Sequence, residues 1–359
     1  IPILKLEFYL EGVTVFHIST ISLRHLNKPL KLLGKIFLIV RIWGEKMNIV
    51  VLDDIVLNQE QIDRLKKLGN LKIYFGTPKN NQEIIKRADE ADILISGWTY
   101  YKNGVFKDLK RIKLISLWST GYDYVDLCEA KEKSITITNV PGYAKNAVAE
   151  LAISLMLAVM REIPKADYDV KATNKYNWQK FKGMELSNKT LGIIGIGSIG
   201  CRVAEIAKGF DMKVIAYDPY PKKGTEEKYN LKIVSYKTIF KESNIVTLHM
   251  PLLPSTKNII TSDELDLMSK DSIFINTARA GIVNQEDLYN TLYNGNILGA
   301  GLDDIDFSIL SGNNLLKLNN IVVTPHIGFY TKEATIIKTN ICISNVENFI
   351  KGTPINIVL

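Results

Sequence analysis

The run Thr190-Leu-Gly-Ile-Ile-Gly195-Ile-Gly197-Ser-Ile-Gly200 constrains this chain more than any other feature. A lone GxGxxG says little. Here the glycines close an apolar strand, Leu191 to Gly195, and open a helix, Ser198 to Phe210. An acid, Asp218, ends the strand that follows. That is the context in which the pattern binds a dinucleotide. Gly195 permits the tight turn, Gly197 lets the backbone approach a pyrophosphate, and Gly200 lets the helix lie close on the strand. The free N–H groups at the helix start then hold the anion. Asp218 would accept hydrogen bonds from the adenosine ribose and repel a 2′-phosphate, so NAD is expected rather than NADP. Lys222 and Lys223 stand close behind and soften that preference.

From Met47 onward, strand and helix patterns alternate. Strands are expected at 48–52, 71–75, 93–96, 112–116 and 135–139, with helices at 58–68 and 81–88. A long apolar helix, Ala144 to Arg161, leads away, and a polar stretch (Glu162–Lys189) precedes the fingerprint. A second strand series follows at 214–217, 245–249, 272–276, 299–303 and 321–324, and a last helix spans 331–351. Such alternation implies parallel sheets wrapped by helices. The fold class is α/β, with two Rossmann-like or flavodoxin-like domains. Residues 47–145 plus 331–359 form a discontinuous substrate domain into which a dinucleotide domain, 146–330, is inserted. The cleft between them is the expected ligand site.

Residues 1–46 do not share this design. They show no strand–turn–helix order, and their apolar stretch Leu30–Trp43 is interrupted by Lys31, Lys35 and Arg41. It is too short to span a bilayer and has no signal-peptide cleavage site. Gly44-Glu45-Lys46, ahead of Met47, could be encoded by a purine-rich ribosome-binding sequence. The segment is therefore expected to be a non-native upstream extension, the alternative being an amphipathic membrane-surface segment. It carries seven Lys/Arg against three Glu, which leaves +3 of the chain's net +7 for the body. No basic run with interleaved aromatics remains, so neither nucleic acid nor membrane is an expected partner. The three cysteines make no CxxC pair, which points away from disulfides and zinc and toward the cytoplasm. Cys201, just inside the fingerprint helix, reads as a packing residue.

The chemistry falls at strand ends. Arg279, in Ile275-Asn-Thr-Ala-Arg279, can clamp a carboxylate in a bidentate fork and polarise a neighbouring carbonyl. His326, in Val323-Thr-Pro-His326, is one of two histidines in the body and suits proton exchange near neutral pH. The other, His249, reads as structural. Trp98, Tyr100 and Tyr101 either line the cleft or cover the sheet edge.

With these segments the chain resembles the D-isomer-specific 2-hydroxyacid dehydrogenase family from Met47 nearly to its end. The likeness lies in Ser119-Thr-Gly-Tyr-Asp-Tyr-Val-Asp126, Asn139-Val-Pro-Gly-Tyr143, the fingerprint, Leu248-His-Met-Pro251, Asn276-Thr-Ala-Arg279, Gly301-Leu-Asp303 and Thr324-Pro-His326. The resemblance implies a catalytic Arg279 and His326, and substrate-carboxylate amides at Thr120 and Gly121. It places cofactor contacts at Ser198, Ile199, Asp218, Met250, Pro251, Thr256, Thr277, Ala278 and Asp303. Tyr143 and Phe329-Tyr330 resemble the D-lactate and D-2-hydroxyisocaproate branch, in which they face the substrate.

The expected activity is NAD-dependent interconversion of a small 2-oxo acid and its D-2-hydroxy acid. The alternatives are a glycerate/hydroxypyruvate or glyoxylate reductase, or an NAD(H)-binding regulatory or corepressor-like protein. A homodimer through the dinucleotide domain is implied, with Trp178 in its arm or in a satellite core. One departure stands out. Where the family carries a glutamate partner for the histidine, this chain has Ser308. Asp306 (less readily Asp304) could reach the imidazole through a shifted loop. Ser308 could instead orient the ring without charge, or the site is impaired.

Overall fold

Two all-parallel sheets follow from the apolar runs. The computed structural model describes residues 46–309 and 314–359 in full, and residues 6–10 and 13–18 as backbone. The latter form an antiparallel hairpin of β1 (Leu6–Leu10) and β2 (Val13–Ile18). These described residues show a hairpin and not the strand–turn–helix order of the rest. The stretch Leu30–Trp43 lies outside the described residues.

The first sheet contains β3 (Met47–Val51), β4 (Gly69–Ile73), β5 (Ile93–Ser96), β6 (Leu114–Leu117) and β7 (Thr136–Thr138), in the order β4-β3-β5-β6-β7. The second contains β8 (Thr190–Ile194), β9 (Lys213–Tyr217), β10 (Lys232–Ile233), β11 (Ile245–Leu248), β12 (Ile273–Asn276), β13 (Gly299–Leu302) and β14 (Ile321–Val323). Its order is β10-β9-β8-β11-β12-β13-β14. Strand order reverses beside β3 in one sheet and beside β8 in the other. A doubly wound sheet binds ligands beyond the strand C-termini at such a point. Every residue of β5, β6, β11, β12 and β13 is buried, as strands covered on both faces require.

Five helices position the site. Helix α1 (Gln59–Leu68) starts with a capping box between Asn58 and Gln61. Helix α2 (Lys145–Met160) is apolar around most of its circumference. Its Ala149, Ala152, Met156 and Met160 join Leu191, Ile193 and Ile275 in the core of the second sheet. Helix α3 (Ile163–Thr173) occupies the stretch read as merely polar. It buries none of its residues, so it had no apolar stripe to betray it. Helix α4 (Ser198–Lys208) is the fingerprint helix. The last, α5 (Lys332–Ile350), returns to the first sheet, where Cys342, Ile343 and Val346 pack with Ile49, Val51 and Leu114. Arg64 of α1 pairs with its Glu347 at 2.9 Å. Beyond it, Val358 N–H donates to the Ile137 carbonyl at 3.0 Å, binding the chain end to β7.

Candidate active site

The three fingerprint glycines each meet a different steric demand. Gly195 has φ +91°, and a β-carbon there would stand 2.7 Å from the His249 carbonyl oxygen. One on Gly200 would stand 2.2 Å from the Gly195 carbonyl oxygen, so only hydrogen lets α4 lie this close to β8. Around Gly197 nothing lies within 4 Å of such a position, and no side chain caps α4 there. The open face is the one a pyrophosphate needs, and it sits at a helix N-terminus. Asp218 ends β9 as expected, its Oδ2 accepting Ile196 N–H at 3.0 Å and its Oδ1 Tyr220 N–H at 2.8 Å.

Around this cradle, Thr277 Oγ1 is buried without a hydrogen-bond partner among the described residues. Polar atoms in that state are rare unless a ligand completes them. The Thr256 hydroxyl instead donates to the Pro251 carbonyl at 2.7 Å, bracing the loop after Met250. The residues present fit a dinucleotide.

The acid/base end is built on consecutive aspartates after β13. Asp303 is buried, and its carboxylate accepts the Thr324 hydroxyl, Ile327 N–H at 2.9 Å and Gly328 N–H at 2.7 Å. It thereby folds the loop that carries His326. The histidine itself sits at φ +56°, a left-handed conformation that costs energy for a residue with a side chain. Asp304 comes next: Oδ1 stands 3.5 Å from His326 Nδ1, and Oδ2 accepts the Ala280 N–H at 2.9 Å. Burial pushes the Asp304 carboxyl up. The imidazole, the Ala280 N–H and Arg279 outweigh that and hold it below its ordinary value.

The carboxylate facing His326 is therefore Asp304. Asp306 and Ser308 are not: Asp306 Oδ1 accepts both Ser308 N–H, at 2.9 Å, and the Ser308 hydroxyl. The Gln285 amide fastens the Asp306 backbone from the other side, so this turn closes on itself rather than on the imidazole. The expectation that Asp306 or Ser308 takes the place of the usual glutamate is corrected accordingly.

Arg279 projects across to the first sheet. Its guanidinium lies so close to Gly121 that a β-carbon there would stand 2.7 Å from Nη2, and its Nε is 4.0 Å from Asp123 Oδ1. The loop after β6 is held for this meeting. Thr120 Oγ1 donates to the Val140 carbonyl at 2.6 Å, and Asn139 donates to the Thr120 carbonyl at 2.8 Å. Neither the Thr120 nor the Gly121 N–H has an acceptor among the described residues. Two free amides beside a guanidinium are donors of the kind that can take a carboxylate.

Aromatic rings gather beside these groups. Phe329 meets Trp98 at 5.8 Å, Tyr143 and Trp118 each at 6.5 Å, and the His326 ring at 6.1 Å. Trp98 thus lines the cleft, whereas Tyr101 is fully buried and Tyr100 is exposed beside Tyr124. Burial pushes the Tyr143 phenol up, so it stays neutral. Desolvation drives His249 down to about 3, and its Nε2 lies 3.0 Å from Thr247 Oγ1. It is neutral at physiological pH. Cys201 is buried, and burial pushes its thiol up, as a packing residue requires.

Sequence reasoning overlooked Lys338. Its position on the buried stripe Ala334–Lys338–Cys342, at helical spacing, was the available signal. It also left Trp118 out of the aromatic cluster.

The family model "D-isomer specific 2-hydroxyacid dehydrogenase, NAD binding domain" matches residues 153–328. The hydroxypyruvate reductase of Blautia hydrogenotrophica is 33% identical over 324 residues, 87% of this chain and 99% of that protein. The D-3-phosphoglycerate dehydrogenase of Methanocaldococcus jannaschii is 35% identical over 299 residues, 82% of this chain. The match spans only 56% of that longer protein. Among solved structures, an acyclic imino acid reductase in complex with NADPH and D-Arg superimposes with a TM-score of 0.80 and 34% identity. It covers 87% of this chain and 100% of its own. D-2-hydroxyisocaproate dehydrogenase gives 0.75 and 28% identity over 87% of this chain and 99% of its own.

Proposed function

This chain belongs to the NAD-dependent D-isomer-specific 2-hydroxyacid dehydrogenase family, and we propose that it interconverts a small 2-oxo acid and its D-2-hydroxy acid. The observation that carries the reading is the meeting of Arg279 with the Gly121 backbone, beside a histidine held by Asp304. The substrate carboxylate rests on the Thr120 and Gly121 N–H groups and on Arg279, which also polarises the 2-oxo group. His326 donates a proton to the carbonyl oxygen in reduction and removes it in oxidation. Asp304 fixes the ring's orientation and tautomer. Tyr143 and Phe329 face the substrate side chain.

NAD supplies the hydride chemistry when bound. Gly195, Gly197, Ser198, Ile199 and Gly200 would hold its pyrophosphate, Asp218 a ribose, and Met250, Pro251, Thr256, Thr277, Ala278 and Asp303 the remaining length. In this reading residues 47–145 with 331–359 are the substrate unit and 146–330 the dinucleotide unit. A second copy covers the exposed apolar residues Ile163, Tyr168, Tyr176 and Trp178. At 74% exposure Trp178 belongs to no satellite core within this chain. A cytoplasmic location is supported by cysteines that are all free. Among the described residues, no helix is long and apolar enough to cross a membrane.

Relatives named hydroxypyruvate reductase, glycerate dehydrogenase and glyoxylate reductase favour a second reading, in which the acid is one of those small polar substrates. NADH oxidation with pyruvate, 2-oxoisocaproate, hydroxypyruvate and glyoxylate tests both. Turnover with at least one of them is expected. NADH that binds and is never oxidised would replace the dehydrogenase with a regulatory protein.

A further inference from the structure

Helix α5 delivers one lysine into this cluster of aromatic rings. Trp118 Nε1–H donates to Thr339 Oγ1 at 2.9 Å, and Ser116 Oγ donates to the Cys342 carbonyl at 3.1 Å. These bonds pin the helix beneath the end of β6. Directly before Thr339 stands Lys338, 2% exposed. Its Nζ lies 3.6 Å from the ring centre of Trp118, 4.0 Å from Phe329, 5.0 Å from Tyr143 and 5.8 Å from Trp98. The rings come from the ends of β5, β6 and β7 and from the His326 loop, so the amine points to where the substrate side chain goes.

Four ring faces attract an ammonium but bring it no full negative charge. Lys338 has no hydrogen-bond acceptor and no ion pair among the described residues. The charged group nearest in effect, Asp53, spends its carboxylate on Gly97 N–H, Trp98 N–H and the Ser96 and Thr99 hydroxyls. A buried amine without a counter-charge is expensive, and a structural position would be served better by methionine. The cost is recovered when a ligand brings the anion.

We propose that Lys338 is the specificity-determining residue of this site, selecting a 2-oxo acid that carries a second acidic group at the far end of its side chain. The proposal rests on the dehydrogenase reading above and deepens it. The 2-oxo and first carboxylate groups stay with His326, Arg279 and the Thr120–Gly121 amides. Beyond them, with the Phe329 ring reaching from His326 to Lys338, the distal anion meets Nζ. Desolvation lowers the amine to about 7, against the raising influence of Cys342 and Asp53. Binding the anion therefore draws a proton onto Lys338 at alkaline pH. Of the titratable groups facing it, burial pushes the Cys342 thiol up to about 12 and the Tyr143 phenol higher still, so neither competes in that range.

The test compares kcat/KM for 2-oxoglutarate, 3-phosphohydroxypyruvate and the uncharged-tail acid 2-oxoisocaproate, in the wild type and in Lys338→Met. The ratio of an anionic-tail acid to 2-oxoisocaproate should fall roughly tenfold or more in the variant. Whichever of the two anions loses more identifies the head group as carboxylate or phosphate. A ratio that does not move for either overturns the proposal. If the variant fails to fold, the wild type alone decides. Its ratio of 2-oxoglutarate, whose tail stays fully ionised in this range, to 2-oxoisocaproate should decline as pH rises through about 7, while contributions of His326, common to both substrates, cancel. A flat ratio overturns the proposal. Absence of turnover with all three acids overturns the proposal, and the dehydrogenase reading falls with it only if pyruvate, hydroxypyruvate and glyoxylate are also left unreduced. Turnover with an unmoved ratio removes the proposal alone.

Discussion

Asp304 Oδ1 stands 3.5 Å from His326 Nδ1 while the other oxygen of the same carboxylate holds the backbone next to Arg279 at 2.9 Å. One side chain therefore positions both His326 and the backbone beside Arg279, the proposed acid/base and carboxylate clamp. The 3.5 Å separation is long for a hydrogen bond, but such contacts commonly tighten only with substrate in place. Asp304→Asn keeps an acceptor for Ala280 and removes the charge. It should lower kcat for 2-oxo acid reduction by roughly 10²-fold with NADH affinity retained. Asp306→Asn and Ser308→Ala should stay near the wild-type rate. Steady-state kinetics of the three variants checks this, and the reverse ranking would return the role to Asp306 or Ser308.

The glycines of the fingerprint separate stability from binding. Gly195→Ala must place a β-carbon at positive φ and against the His249 carbonyl, at a cost of about 1–2 kcal/mol from the backbone alone. Gly197→Ala meets nothing, so its melting temperature should match the wild type while its Kd for NADH rises at least tenfold. Thermal melting and fluorescence titration distinguish the two. Tight NADH binding by Gly197→Ala would mean the pyrophosphate lies elsewhere.

Lys338 should leave a signature in stability as well as in specificity. Its folded pKa, about 7, is lower than that of the unfolded chain. Between about pH 7 and ~10 the unfolded chain then binds the extra proton, and stability rises with pH across that window. The melting temperature of the wild type minus that of Lys338→Met should therefore increase from pH 7 to 10. A constant difference would show that the lysine titrates as it does in water.

The exposed face beside α3 predicts association. Tyr176 is 91% exposed and Trp178 74%, which is unusual for side chains of this size unless a partner covers them. Sedimentation should report a dimer, and Tyr168→Glu with Trp178→Glu should shift it toward monomer. A monomer in the wild type would contradict the proposed assembly.

Much of this was legible because the determinants are local. The roles of Gly195, Gly197 and Gly200 follow from one turn between one strand and one helix. Arg279 and His326 stand at the ends of apolar runs that could only be buried strands. Asp304 was harder, because three acids in four residues (Asp303, Asp304, Asp306) differ only in how the loop turns, and spacing does not encode that. The aromatic cage of Lys338 was illegible for a different reason. Its rings come from positions 98, 118, 143 and 329 and meet only in three dimensions. Helix α3 hid because it buries none of its residues and so carries no apolar stripe.

The central claim is that His326 exchanges the proton as a 2-oxo acid is reduced. Its most direct test is rapid-mixing measurement of NADH oxidation by the wild type and His326→Asn, each shown beforehand to bind NADH. Loss of roughly 10² to 10⁴ in rate, with binding of NADH and 2-oxo acid retained, is the predicted result. An undiminished rate in His326→Asn, or a wild type that binds NADH and never oxidises it, would contradict the account.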